Sequence, residues 1–293
     1  MHAPPAARLE TLVEEFDRGV AGAREQIRTL CERDPRAFQD AAVRLLKTSY
    51  TSRGIQYVVS LLAASDLLLV ALCNPALTRD GAISLARAAM ETDAAMDIRL
   101  AKTVAEKAGA GLPAAAAARL MDVLDAVSHG NRIMPSLLRM LRQPDAQLRS
   151  KAVLMIGRAS RNVKWVQNRL ADADPRTRAN AVEALWGIDT TEARELLRAA
   201  AADSNNRVAG NALFALHRMG DAWAEPELLK MASAESAASR ASAVWAMGET
   251  GDPCFLEAVA HRMGDADALV RKRAFSALGR LKSAAARRRA AQA

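Results

Sequence analysis

The chain has 293 residues and a net charge of +8, with 41 Lys and Arg against 33 Asp and Glu. Hydrophobic residues make up 51% of it and aromatic residues only 4%, and its 15 Gly and 10 Pro are too few for a disordered chain or an all-β fold. Three widely spaced cysteines exclude a disulfide framework and favour a reducing compartment. The composition therefore predicts an all-α protein with a core of alanine and leucine.

The first part of the chain predicts a series of helices. Asp34-Pro35 marks the start of the second helix, and Asp80 and Asp93 are expected to cap two later ones. The predicted spans are residues 7–33, 35–48, 52–64, 66–73, 80–91, 93–108 and 113–128.

One apolar run, Ile55 to Cys73, approaches the length of a membrane span. Ser65-Asp66 interrupts this run, and a charge at mid-span is costly in lipid, so the run reads as two buried helices. The start of the chain lacks the basic and then apolar pattern of a secretory signal. We therefore expect a cytoplasmic protein with no membrane span.

Glycines at Gly109 and Gly111 suggest a domain boundary. Residues 1–111 are predicted to form irregular helical hairpins, which are either degenerate repeats or a separate helical domain. Residues 112–282 are predicted to form a regular repeat array, and residues 283–293 a basic, disordered tail.

A short sequence motif recurs five times in the array. Its central alanines are 29, 31, 31 and 31 residues apart, at Ala152, Ala181, Ala212, Ala243 and Ala274. Seven positions before each alanine stands a residue that favours the N-cap of a helix: Asp145, Asp174, Asn205, Ser236 and Asp267. Each unit therefore predicts two helices, of which the second carries the alanine. A fixed period of this size is typical of a solenoid, in which each repeat buries its apolar face against its neighbours.

The frame Asp174, Arg178, Ala181, Ala184 and Leu185 resembles the short HEAT-like repeats of the bilin-lyase type. This resemblance covers about half the chain and implies a right-handed α-α superhelix. It also implies that the aspartate and arginine columns form ladders between repeats, here Asp145, Asp174, Asp267, Arg149, Arg178, Arg240 and Arg271. In the third repeat Asn205 and Ala209 replace these residues, so any ladder should be broken there.

In such arrays the second helices line the concave face. The position two residues after each alanine points most directly away from the core, and Phe214 and Trp245 should be neighbours there. Apolar anchors with a polar rim suit a protein-binding groove. The predicted partner-binding residues are Phe214, Trp245, Trp186, Leu154, Asn180, Glu183, Asn211, Arg218 and Arg273.

These residues predict a non-enzymatic scaffold that binds a protein or peptide. Alternatively, the N-terminal helices or a second copy of the chain, as a homodimer, cover Phe214 and Trp245. No catalytic residue, metal site or cofactor is predicted, because no pair among the four histidines has ligand spacing. The His-Glu pairs that hold iron in the HEAT-fold deoxyhypusine hydroxylases are absent.

Two further alternatives involve other classes of activity. Glu183 near Trp186 and Phe214 suggests comparison with HEAT-like DNA glycosylases, and the repeats themselves with chromophore-handling bilin lyases. From Ala268 onward the chain has eight Lys and Arg and no acid, which accounts for the whole net charge. This basic end either keeps the last helix solvated or binds nucleic acid.

Overall fold

The computed structural model describes residues 5–46, 52–109 and 111–292. Within these ranges the chain forms eighteen α-helices and two short 3₁₀ helices, with no β-strand beyond an isolated bridge between Ala108 and Leu112. The all-α prediction is therefore confirmed. The chain divides into two compact units, residues 1–152 and 153–293.

The helices of the first unit are short, mostly of two to four turns. They are α1 (Pro5–Asp17), α2 (Ala23–Arg33), α3 (Pro35–Leu45), α4 (Arg53–Ala63), α5 (Leu67–Cys73), α6 (Arg79–Thr92), α7 (Met96–Lys107), α8 (Ala114–Val127) and α9 (Met134–Met140). The division between the units falls within α10 (Ala146–Ser160). The boundary predicted at residue 111 lies inside the first unit and does not coincide with this division, so the domain assignment stays a prediction.

The single helix predicted for residues 7–33 is wrong. Gly19 and Gly22, with φ of 76° and 81°, separate α1 from α2. A left-handed backbone cannot continue a right-handed helix, and glycine adopts it without the penalty of a Cβ. The sequence pattern did not reveal this break because charged, helix-favouring residues lie on both sides of it.

The predicted caps are partly correct. Asp34 caps α3 by accepting a bond from the N–H group of Ala37, and Ser52, which was predicted only as the start of a helix, caps α4 by accepting from the N–H group of Ile55. For α6 the cap is Thr78 and not Asp80, which lies in the first turn. Asp93 is not the cap of α7 either, because its carboxylate accepts from the N–H of Ala95 before the helix begins.

In the described residues, no single helix is long and apolar enough to cross a membrane. By length and composition alone α4 and α5 together could cross a membrane, but the two helices meet at an angle of 106° at the predicted break.

Helices of the first unit pack two elements apart. α4 packs on α6, α6 on α8, and α7 on α9. α1 and α4, three elements apart, also approach closely, because a methyl group on Gly54 of α4 would lie 2.8 Å from the carbonyl oxygen of Val13 in α1. Such alternating contacts are typical of stacked helical hairpins.

The second unit contains the regular repeats. After α10 it comprises α11 (Val163–Leu170), α12 (Pro175–Ala184), α13 (Thr191–Ala200), α14 (Asn206–Arg218), α15 (Ala224–Ala232), α16 (Ala237–Thr250), α17 (Leu256–His261) and α18 (Ala268–Gln292). The 3₁₀ helices are Pro253–Phe255 and Arg262–Gly264. Because α18 continues to Gln292, residues 283–292 are helical, and the prediction of a disordered tail there is wrong; Ala293 lies outside the described residues.

All five predicted N-caps of the repeat helices are in place. Each side chain accepts from a free backbone N–H at the start of its helix, and these caps are Asp145, Asp174, Asn205, Ser236 and Asp267. The helices therefore begin in the same register in every repeat.

Small residues set the spacing between the second helices. α12 packs on α14, α14 on α16, and α16 on α18, and the column alanines are fully buried. A methyl group on Gly248 would lie only 2.5 Å from Cβ of Ala277 in the following second helix, so glycine is required there. Phe275 of α18 is 72% exposed, whereas the equivalent Val244 is buried. Among the described residues no second helix follows α18.

The arginine column links successive repeats, but to acids other than those predicted. Nε and Nη2 of Arg178 donate to both oxygens of Asp203 at 2.7 and 2.9 Å, and Arg240 holds Asp265 in the same way at 2.8 Å. Asp203 and Asp265 stand two residues before a capping residue, in the turn of the next repeat. The hydrogen bonds from these guanidinium groups lower the pKa of both carboxyl groups.

The predicted ladder residues outside these two pairs have local roles. Asp145, Asp174 and Asp267 cap the helices that follow them and do not form the predicted pairs between repeats. The guanidinium groups of Arg149 and Arg271 donate to backbone carbonyls of the turn before their own helix.

The third repeat lacks both halves of the pair. Ala209 replaces the arginine, and Ala234 stands where the following turn would supply the carboxylate. The predicted break of the ladder therefore lies where it was expected, and no unpaired charge is left behind.

We predict that Arg178→Ala lowers the free energy of unfolding by about 2 kcal/mol, because it removes charge-assisted bonds from a half-buried carboxylate. In a double-mutant cycle with Asp203→Ala, measured by urea unfolding, the coupling should be about 1–2 kcal/mol. The control cycle uses Arg194 and Asp189, a pair of the same geometry whose carboxylate is 59% exposed. Equal coupling in the two cycles would contradict the assigned role of the Arg178–Asp203 pair.

Candidate functional site

Three aromatic rings form a row across successive repeats, with Trp186 in the turn after α12, Phe214 on α14 and Trp245 on α16. The Trp186 and Phe214 ring centroids are 4.8 Å apart in an edge-on arrangement, and those of Phe214 and Trp245 are 6.0 Å apart. The rings are half-buried, and Phe214 and Trp245 also rest on the apolar core of the last repeats. The predicted adjacency is therefore present, although the rings are only partly available to a partner.

A groove lies beside this row on the outward face of the second helices. Its volume is about 450 Å³, and its lining residues come from α12, α14, α16 and α18: Glu183, Asn206, Arg207, Gly210, Asn211, Ser242, Trp245 and Arg273. Trp245 supplies the apolar wall and the remaining residues are polar or small. The two guanidinium groups and one carboxylate give the groove an excess of one positive charge.

Glu183 lies at the centre of a polar network on one side of the groove. Its Oε1 accepts from Nη2 of Arg207 at 2.8 Å and from Nδ2 of Asn211 at 2.9 Å. The same Arg207 nitrogen also donates to Oδ1 of Asn180 at 3.1 Å. This network joins the second and third repeats. In the next interface, between the third and fourth repeats, Ala209 replaces the ladder arginine.

The other side of the groove is held by two further contacts between helices. Nδ2 of Asn206 donates to Oγ of Ser242 at 2.6 Å and to the carbonyl of Ala238 at 3.1 Å, and Nη1 of Arg273 donates to the carbonyl of Ala241 at 3.0 Å. The capacity that remains is the acceptor oxygen of the Asn206 amide and the other N–H donors of the Arg273 guanidinium group, which has five in all. Asn206 and Arg273 are half-buried and so reach solvent.

Several predicted site residues are buried or lie away from the groove. Asn180 and Asn211 are only 6% and 2% exposed, and their amides bond to side chains of the neighbouring repeat, although Asn211 also lines the groove. Leu154 is buried at 3% exposure, so it cannot serve as a surface anchor. Arg218 is exposed near the end of α14 but is not among the residues that line the groove.

The sequence prediction missed Asn206, Arg207, Gly210 and Ser242. Arg207 and Gly210 lie seven and four residues before Phe214, on the same face of α14. Extending the outward face by one helical turn toward the N-terminus would have found them.

The basic end of the chain is partly engaged within the second unit. Arg280 lies 3.3 Å from Glu249, and Arg288 lies 3.9 Å from Asp252. Exposed cations also line α18: Arg271, Lys272, Lys282, Arg287 and Arg289. The positive charge is thus spread along one helix and is not concentrated in the groove.

Comparison with known protein families identifies the repeats. A family model described as HEAT repeats matches residues 134–217, 163–233, 195–279 and 225–293, which together span more than half of the chain. No curated protein matches the sequence.

Solved structures of low identity also resemble the chain. YibA of E. coli has 17% identity and a TM-score of 0.39, covering 83% of this chain and 92% of its own. Human deoxyhypusine hydroxylase in complex with glycerol has 16% identity and a TM-score of 0.38, covering 84% and 96%. An engineered protein has 15% identity and a TM-score of 0.31, covering 84% and 97%. No conclusion about activity follows from these likenesses.

We predict that Phe214→Ala lowers the free energy of unfolding by about 2 kcal/mol, because the ring packs between two tryptophans and on the core. Urea denaturation followed by far-ultraviolet circular dichroism measures this loss. Trp223→Ala is the control, since Trp223 is 41% exposed and lies outside the row. An equal or larger loss in the control would show that the row adds no packing energy.

Proposed function

This chain belongs to the HEAT-repeat family, and we propose that the groove on its second helices binds an extended peptide segment of a partner protein without catalysing a reaction. The observation that carries the proposal is that one groove combines a half-buried tryptophan with amide, hydroxyl and guanidinium groups from three successive second helices, α14, α16 and α18.

The apolar part of the proposed contact is Trp245. Its ring is packed against Phe214 on one side, so it is held in place before a ligand arrives. Anchors of this kind cost little side-chain entropy on binding, and tryptophan is enriched among the residues that dominate binding energy.

The polar part of the contact suits a peptide backbone. Asn206 offers its amide oxygen at the groove surface, because its Nδ2 already donates to Ala238 and Ser242, and Arg273 offers guanidinium donors beyond the one that bonds to the carbonyl of Ala241. An extended peptide presents unpaired N–H and C=O groups along its length, and such side chains bond to both. The excess positive charge favours a segment with an acidic residue near Arg273.

Glu183 has a structural explanation that weighs against glycosylase-like chemistry. A catalytic carboxylate must be available to the reacting atoms. The Glu183 carboxylate is instead tied by Arg207 and Asn211, two groups that also hold neighbouring repeats together.

Self-association is the competing use of the same surface. If two copies bind each other through the groove, sedimentation equilibrium should report a dimer that Trp245→Ala dissociates. A monomer at micromolar concentration supports a separate partner.

The test selects binders from a phage-displayed library of random linear dodecapeptides against the full chain, and then measures the affinity of the selected peptides by fluorescence polarisation. We predict that Trp245→Ala and Arg273→Glu each weaken binding about tenfold or more, which corresponds to the loss of one dominant contact. Trp223→Ala, an exposed tryptophan outside the groove, should leave the affinity unchanged.

Circular dichroism and melting temperature establish that each variant remains folded. Failure to select any peptide, or selected peptides that bind Trp245→Ala and Arg273→Glu as tightly as the wild type, would contradict the proposal.

A further inference from the structure

Three side chains with metal-binding chemistry meet between two repeats, away from the groove. His217, Asp252 and Cys254 each offer one ligating atom, and these three atoms lie within 4.8 Å of one another. His217 belongs to the last turn of α14, whereas Asp252 and Cys254 lie in the turn after α16.

Neighbouring groups hold two of these side chains in place. The imidazole of His217 packs on the ring of Phe255, with centroids 5.0 Å apart. Oδ1 of Asp252 accepts from the N–H of Cys254 at 3.1 Å, which leaves Oδ2 to face Nε2 of His217 at 3.8 Å. The carboxylate is therefore oriented by one oxygen and presents the other to the cluster.

From this geometry we propose that His217, Asp252 and Cys254 form a site for a divalent zinc ion. Imidazole nitrogen, carboxylate oxygen and thiolate sulfur are the three ligand types that Zn²⁺ takes in proteins. Tetrahedral ligands at ordinary zinc distances lie about 3.4–3.6 Å apart. The His217–Asp252 separation of 3.8 Å therefore needs to close by a few tenths of an ångström, and a pair at the 4.8 Å limit by about 1 Å. Cys254 is exposed, so water has access to the fourth position.

Some of the charges around the cluster favour a bound cation and one opposes it. The Asp252 and Glu225 carboxylates favour a cation. Desolvation of the Cys254 thiol raises its pKa most, and these two carboxylates raise it further. Zinc binding requires that this thiol release its proton to solvent. Arg288 opposes the ion, because its Nη1 lies 3.9 Å from Oδ1 of Asp252.

An ion at this position would fasten neighbouring repeats together. His217 lies in the last turn of the second helix of the third repeat, and Asp252 follows the second helix of the fourth repeat, so a shared ligand sphere adds a cross-link between these two repeats. Because an ion that binds only the folded state stabilises it, zinc should raise the melting temperature of the full chain.

The experiment titrates the metal-free full chain with Co²⁺ as a spectroscopic substitute, and then displaces it with Zn²⁺. We predict one equivalent of Co²⁺ with a thiolate-to-cobalt charge-transfer band in the near ultraviolet. Cys254→Ser should abolish this band and weaken Zn²⁺ binding by about tenfold or more, and His217→Gln should weaken it similarly. Arg288→Gln should strengthen it, because a competing cation is removed.

Matched controls use the other thiols and an exposed imidazole. Cys31→Ser, Cys73→Ser and His261→Gln should leave stoichiometry, absorbance and the melting-temperature rise unchanged. Cys254 is exposed, so its serine variant tests the site even if His217→Gln, which loses a ring contact, fails to fold. Absence of the band in the wild type, or its persistence in Cys254→Ser, would overturn the proposal and leave these residues as a cap and a histidine–aspartate contact.

Discussion

The structure of the repeat array depends on how closely the second helices approach one another. Every column alanine is fully buried, and at Gly248 even a methyl group would collide with Ala277 of the following helix. Helices that approach this closely exclude large side chains from the surface they share. Large side chains such as the ladder arginines and the aromatic rings therefore lie at the edges of the layer formed by the second helices. This constraint determines where both charged pairs and aromatic rings are found.

Two sets of contacts follow from this spacing. At the helix starts, Arg178 and Arg240 reach a carboxylate in the next turn, and where Ala209 removes the guanidinium group Ala234 removes its partner as well. On the outward face, the same spacing brings Phe214 within ring contact of both tryptophans. The groove is therefore a consequence of repeat packing, and the residues that line it also hold the repeats together.

Features that depend on local periodicity could be predicted from the sequence. The capping residues, the buried alanine column and the row of rings all follow from fixed positions within one repeat. Features that depend on which neighbour a long side chain reaches could not. Asn211 stands at a position that points away from the core, yet its amide donates to Glu183 of the preceding repeat. Arg178 and Arg240 pair with Asp203 and Asp265 and not with the capping aspartates. The break at Gly19 and Gly22 was hidden because a helix-favouring pattern continues across it.

Replacement of a column alanine tests the central claim most directly. The free energy of unfolding of Ala212→Leu, measured by urea denaturation, should fall by about 1–3 kcal/mol because the added carbons force α14 away from its neighbours. Ala202→Leu, at an exposed position of the same repeat, should change it by no more than about 0.5 kcal/mol. If Ala212→Leu is as stable as the wild type, close packing of the alanine column does not set the spacing of the second helices.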